Sequence, residues 1–398
     1  MKQILFLTTQ LPFPPISGGI IKTYKLIEYF YTKYDITLAC FLKSEEEVNE
    51  LPKFQKLFPN IKIIAFPFSV DRNIKTFIKS NLQKISMNEY RNRSTQMHEL
   101  LQPIWNTIDT VFVDHLEMYQ YIPNEFKGKK ILHQHNAEFV MWYRFALLEK
   151  NYFKRFALRN QAYQVQQLEK KYCNDADVIL AAPNDQHILE QIGIPKNKFR
   201  LTYHLGDDTY IDNNDLVYNR NHKAIMYVGT LSWEANVNGL LWFINHIWQQ
   251  IIEKEPNTKF YIIGKNPDER LKQAAQQFPN IVFTGFVADL ESYFQQCSVA
   301  IAPLLFGSGI KVKVISYMYR GIPCVTTNIG VEGLAVTDEQ EIMIKDNADD
   351  FAIAVLALMN NEVLWNKLSQ LSRNFAKTNL SWNAVLQIAA QTIDEDIL

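Results

Sequence analysis

VAIAPLLFGSGIKVKVISYMYRGIPCV, residues 299–325, decides how the rest of the chain is read. Its apolar start, Val299 to Pro303, predicts a buried strand. A Gly-Ser-Gly turn follows, then a helical segment stopped by Gly321 and Pro323, then a second strand. Gly307 and Gly309 permit a tight turn and close backbone approach. Ser308 is placed to cap the helix, so free N–H groups and the positive end of the helix dipole face an anion there, and Lys311 adds a full charge. An ordinary strand-to-helix connection with surface lysines also fits a bare Gly-x-Gly.

The surrounding chain has 398 residues, 47% of them hydrophobic, which exceeds one ordinary core and suits two domains. No apolar run reaches the ~18 residues of a membrane span, and the start, MKQILFLTTQ, reads as a first strand and not as a cleaved leader. Cys40, Cys173, Cys297 and Cys324 lack C-x-x-C spacing, which argues against a zinc knuckle or disulfide framework and for a reducing compartment. The net charge of -1 hides a balance of +7 over residues 1–205 and -8 over the remainder. Between Trp142 and Lys171, seven basic residues face two acidic ones and alternate with Phe145, Tyr152, Phe153 and Phe156. Such a helix suits an anionic membrane or acceptor, and a solvated helix face fits it as well. No basic recognition helix appears, so a nucleic-acid partner is not expected.

Strands predicted at Gln3 to Thr9, Ile36 to Phe41, Ile61 to Phe66 and Val111 to Val113 alternate with helical segments, as do later strands near 175–182, 224–230 and 259–264. This pattern argues parallel sheets covered on both faces, with ligands at strand C-terminal ends. Two such ends carry polar clusters, Asp114-His115 and the run ending His133-Gln134-His135-Asn136-Ala137-Glu138, while Gly18-Gly19 ends the loop after the first strand. Two histidines and a glutamate also admit a metal, but spacing alone reveals no third ligand. The acidic stretch 206–215 reads as a linker. Lys311 and Lys313, two apart, point to different sides of a helix, and Lys311 is expected to reach the anion.

The 299–325 stretch resembles the donor-nucleotide site of retaining glycosyltransferases of the GT-B fold, specifically glycosyltransferase family 4 (group 1), in the subgroup whose loop reads G-S-G-I-K-x-K. The likeness continues in GIPCVTT at 321–327, GVEGL at 330–334, LSWEANVNGLLWF at 231–243, IVFTGFV at 281–287, HNAE at 135–138 and PPISGG at 14–19. Two departures stand out. Ser316 occupies the place of a glutamate that contacts the ribose, and the Arg and Lys that many relatives carry after the strand at 224–228 are absent, which leaves phosphate charge to Lys311 and Lys313.

The resemblance implies an α/β GT-B architecture of two doubly wound parallel-sheet domains with an interdomain cleft: an acceptor-side domain at 1–203, a nucleotide-sugar domain at 204–378, and a terminal helix, 379–398, packing on the first. It implies transfer of a sugar from a nucleotide-diphosphate sugar to a glycan, lipid-linked or protein hydroxyl, without metal or other cofactor, in the cytoplasm or peripherally at a membrane. His135 and Lys311 are the expected catalytic residues. Gly18, Gly19, Gly229, Phe286, Val287, Gly307, Ser308, Gly309, Ile310, Lys313 and Ser316 are expected at the donor, and Asn136, Glu138 and His115 at the acceptor side. An inactive GT-B protein acting as a binding or scaffolding partner is the alternative that Ser316 motivates. A sugar epimerase is disfavoured because the cleft motifs hold no carboxylate pair suited to proton abstraction.

Overall fold

The computed structural model describes residues 1–15, 18–203, 205, 208–307 and 310–395. The chain divides into two compact units, Met1–His204 with Val385–Leu398, and Leu205–Ala384.

In the first unit, β1 (Gln3–Leu7), β2 (Asp35–Leu42), β3 (Lys62–Pro67), β4 (Thr110–Val113), β5 (Lys129–His133), β6 (Val178–Ala181) and β7 (Phe199–Leu201) form one parallel sheet in the order β3-β2-β1-β4-β5-β6-β7. Consecutive residues Ile4, Leu5, Phe6 and Leu7 are all fully buried, because helices cover both faces. Burying each such side chain contributes about 1.5–3 kcal/mol relative to exposure. Strand order reverses between β1 and β4, the point where an open α/β sheet accepts a ligand at its carboxyl edge. In the second unit, β8 (Ala224–Val228), β9 (Lys259–Ile263), β10 (Ile281–Gly285), β11 (Val299–Ala302), β12 (Cys324–Thr326) and β13 (Met343–Ile344) run parallel in the order β10-β9-β8-β11-β12-β13, with the reversal between β8 and β11.

Residues 142–171 resolve into two helices, Glu138–Leu148 and Tyr152–Asp175, that share their break at 149–151. The 299–325 stretch forms β11, the helix Val312–Arg320 and β12, the helix closing where the Gly321 and Ile322 N–H groups both donate to the Tyr317 carbonyl, at 2.9 and 3.1 Å. Within the stretch read as a linker, residues 211–215 are tied to the second unit. Buried Arg320 bonds the Asn213 carbonyl at 3.0 Å and Asp215 at 2.5 Å, while Arg373 bonds the Ile211 carbonyl at 3.1 Å. The last helix, Trp382–Asp394, straddles the boundary between the units. Its end is held in the first unit by Lys2, donating to the Ile393 carbonyl at 2.9 Å, and by the Tyr34 hydroxyl, donating to Asp394 at 3.0 Å. All four cysteines are buried thiols.

Candidate functional site

In the first unit the switch point carries a hub. Asp114 follows β4 and is fully buried, and three imidazoles and two hydroxyls converge on its carboxylate. His133 Nδ1 lies 2.7 Å and His135 Nε2 3.3 Å from Oδ1. His115 Nδ1 lies 3.1 Å from Oδ2, which also accepts from Thr23 at 2.6 Å and Thr8 at 3.4 Å. A carboxylate only accepts, so the three facing nitrogens carry protons. The rings themselves stack, His115 on His135 and His133 against His135, each at 4.3 Å between centroids.

Burial opposes the Asp114 charge, but His135 and His115 beside it, with the hydrogen bonds from His115 and His133, outweigh burial and hold the carboxyl well below its ordinary range. Burial likewise opposes charge on His115; Asp114 overrides it and lifts the imidazolium to about 9. His135 is pushed down, by burial first and by the His115 charge next, so it is neutral with Nε2 protonated and presents Nδ1 as an acceptor. Asp114, His115 and His135 offer ligand atoms within 4.8 Å of one another. Spacing had set Glu138 beside the histidines, but the structure sets Asp114 there, because β4 and β5 are neighbours and Glu138 accepts instead from Asn88 at 2.8 Å. A cation on this trio would have to displace the His115 proton.

The 135–138 turn is rigid for a local reason. Ala137 cannot cap the helix Glu138–Leu148, and Glu169 does so from the next helix, accepting from the Glu138 and Phe139 N–H groups at 2.7 and 3.2 Å. Asp185 accepts from the Ala137 N–H at 2.8 Å. Asn136 is left exposed, and Glu138 is raised to about 7 by burial and the nearby Glu117 charge. Gly18 and Gly19 form the first residues of the helix Gly18–Tyr31, two residues earlier than the expected start near Ile20, and a Cβ at Gly19 would meet open space.

Sequence reasoning missed Lys22 on this helix. It is 1% exposed, and its ammonium has no hydrogen-bond partner among the described residues. Burial lowers it to about 7, against the pull of Asp114 and Asp185. The signal was the helical period: Lys22 precedes Leu26 and Phe30 by four and eight residues, on the face that packs inward.

In the second unit, Gly229 directly follows β8. The Lys313 ammonium lies against it, donating to the Tyr227 hydroxyl at 2.5 Å and to Asn236 at 3.0 Å. A Cβ on Gly229 would stand 2.8 Å from that nitrogen, so a side chain there would push the ammonium aside. Burial first, and the Lys311 charge second, lower Lys313 to about 7. Past β11, Gly307 adopts φ +148°, open to glycine, and Lys311 folds back over it, its ammonium 3.7 Å from Glu332. Ile310 packs against Gly333.

Ser308 and Gly309 lie outside the described residues. The described helix begins at Val312 with Lys311 at its N-cap. Lys313 therefore sits in the first turn and reaches Gly229, while Lys311 reaches Glu332. The Ser316 hydroxyl turns back to the Val312 carbonyl at 3.1 Å. Phe286 is 66% exposed, not core, with the Lys265 ammonium 4.2 Å from its ring centre, and Val287 is half-buried beside it. Two lysines and two glycines thus gather at the reversal of the second sheet.

Residues 222–361 match the family described as glycosyl transferases group 1. The solved structure of HepE from Anabaena in complex with UDP superposes with a TM-score of 0.63 at 13% identity, covering 99% of this chain and 100% of that one. The fold is GT-B. A second GT-B structure, the lipopolysaccharide outer core galactosyltransferase WaaB in its apo form, gives a TM-score of 0.64 at 14% identity over 99% of each chain. In sequence, an uncharacterized 44.6 kDa protein in the cps region of Klebsiella pneumoniae is 23% identical over 401 residues, 94% of this chain and 97% of that protein.

Proposed function

We propose that this GT-B protein is a retaining glycosyltransferase that moves a sugar from a nucleotide-diphosphate sugar to an acceptor hydroxyl in glycan or surface-polysaccharide synthesis. The observation that carries the reading is the pair of ammonium groups, Lys311 and Lys313, beside Gly307 and Gly229 at the strand reversal of the second sheet. Departure of the sugar builds charge on the β-phosphate, and preorganised cations there stabilise it more in the transition state than in the ground state. Exposed Phe286 with Val287 offers a wall for the base. HepE holding UDP and a cps-region relative support the same reading.

The first unit supplies the sugar and acceptor chemistry. Neutral His135, oriented by Asp114 and stacked on charged His115, accepts a hydrogen bond at Nδ1 without a net charge of its own. Asn136, Glu138 and His115 recognise the acceptor. The leaving phosphate takes the acceptor proton, and the two lysines supply the charge a metal would otherwise bring, so the reaction is metal-independent. The protein works in the cytoplasm, peripherally at an anionic membrane. Ser316 favours a second reading, a binding partner without turnover, because it presents no carboxylate to a ribose. Incubation with a panel of nucleotide sugars and acceptor lipids, following nucleotide release, separates the two: release supports transfer, and binding without release in every pairing supports the partner role.

A further inference from the structure

The helix Ile74–Leu82 is held on one side only. Thr76 and Ser80 are buried, Phe77 meets Trp142 at 6.4 Å between rings, and Asn81 accepts from Asn160 at 2.8 Å, so the helix lies on Glu138–Leu148 and Tyr152–Asp175. Its other side carries Ile74, Ile78 and Leu82, which are 76%, 52% and 78% exposed. Spacing of four residues sets them in one stripe that a globular protein ordinarily buries. The two supporting helices add exposed Phe145, Leu147, Tyr152, Phe153 and Phe156, with Phe153 at 82%. Residues 71–84 and 142–159 together hold nine Lys and Arg against only Asp71 and Glu149. Among the described residues, no helix is long and apolar enough to cross a membrane.

We infer that this three-helix face docks the protein on an anionic lipid bilayer, the apolar stripe and aromatic tips entering the headgroup–acyl boundary and the basic residues lying over lipid phosphates. Apolar tips ringed by cations match an interfacial helix surface, and a bilayer satisfies both features at once. A second copy is a poor occupant, since two such positive faces repel. The inference gives the membrane part of the proposed function its surface, and it stands or falls without the sugar-transfer part.

The test uses the full chain, with no donor present, in flotation with phosphatidylcholine vesicles and with vesicles containing about 30% phosphatidylglycerol. Binding is expected only to the anionic vesicles and is expected to weaken at high salt. Lys150→Glu with Lys154→Glu should reduce partitioning at least about tenfold, since each cation near the surface contributes about fivefold. Ile78→Gln with Phe153→Ser should do the same while the melting temperature stays put, because these side chains touch solvent. Ile353→Ser with Val363→Ser, exposed in the other unit, should leave binding unchanged. Equal recovery of the wild type with neutral and anionic vesicles overturns the inference. So does anionic binding that survives both face variants, or a concentration-dependent dimer that only the face variants dissociate.

Discussion

The Lys313 ammonium rests 2.5 Å from the Tyr227 hydroxyl and 4.1 Å from the centre of the same ring. Neither partner is a counter-ion, and among the described residues no carboxylate pairs with Lys313. With its pKa lowered to about 7 by burial and by Lys311, the lysine is mostly neutral at pH 8 in the free protein. A bound diphosphate would hold it charged. Binding at pH 8 is therefore expected to take up close to one proton, and affinity should fall as pH rises from 7 to 9, by up to about tenfold per unit. Calorimetry in buffers of different ionisation enthalpy measures this. Lys313→Met should abolish the uptake, and zero uptake by the wild type would separate Lys313 from the phosphate.

Lys22 makes the opposite trade. Its folded-state pKa lies below the ordinary 10.5, so the unfolded chain binds a proton the folded one refuses, and stability rises between pH 7 and 10.5. At and below pH 7 the folded protein bears the whole cost. Lys22→Met should gain roughly 2–5 kcal/mol at pH 7, a gain that vanishes near pH 10.5 in urea titrations. A chain that keeps such a residue beside the Asp114 hub keeps it for function, so the same variant should turn over poorly. Wild-type turnover by Lys22→Met would reduce Lys22 to a packing defect.

His135→Ala should slow sugar transfer about a hundredfold or more while the affinity for nucleotide stays within a factor of two. Apart from Gly18 and Gly19, the residues proposed for the nucleotide belong to the second unit, and the Asp114 hub belongs to the first. An equal loss in both quantities would contradict that division. Loss of one equivalent of bound metal in the variant would show the trio Asp114, His115 and His135 to be a metal centre.

Ser316→Glu supplies the carboxylate that the likeness to the family expects. Its side chain projects from the middle of the helix Val312–Arg320, where the Ser316 hydroxyl now donates to the Val312 carbonyl. Nucleoside diphosphate should bind about tenfold tighter if the ribose lies there, the worth of one charged hydrogen bond. The 2′-deoxy diphosphate should gain less. An unchanged affinity for both would move the ribose elsewhere.

The second sheet was legible in the sequence because its punctuation is local: Gly321 and Pro323 stop one helix, and V-A-I-A-P marks one strand. The glycine-lysine loop after β11 was legible in composition but not in register. Helix propensity cannot tell that the first turn begins at Val312 and not at Ser308, so the roles of Lys311 and Lys313 had to come from the fold. Asp114 as a hub was invisible for another reason. It joins β4 to β5, Thr23 and Thr8 from four separate segments, and only strand order brings those together. Arg320 hid in the same way, since Asp215, in the stretch that read as a linker, is one of its partners.

The most direct test is thermal unfolding of the protein with UDP, GDP, ADP or TDP, each beside its nucleoside. One diphosphate is expected to stabilise the second unit, by about 2.7 kcal/mol at a hundredfold excess over its dissociation constant, while its nucleoside shifts little. Lys311→Ala and Lys313→Met should each weaken that diphosphate about tenfold or more. A wild type that none of the four shifts at millimolar concentration, or a nucleoside that stabilises as well as its diphosphate, would contradict a phosphate site at Gly229, Gly307, Lys311 and Lys313.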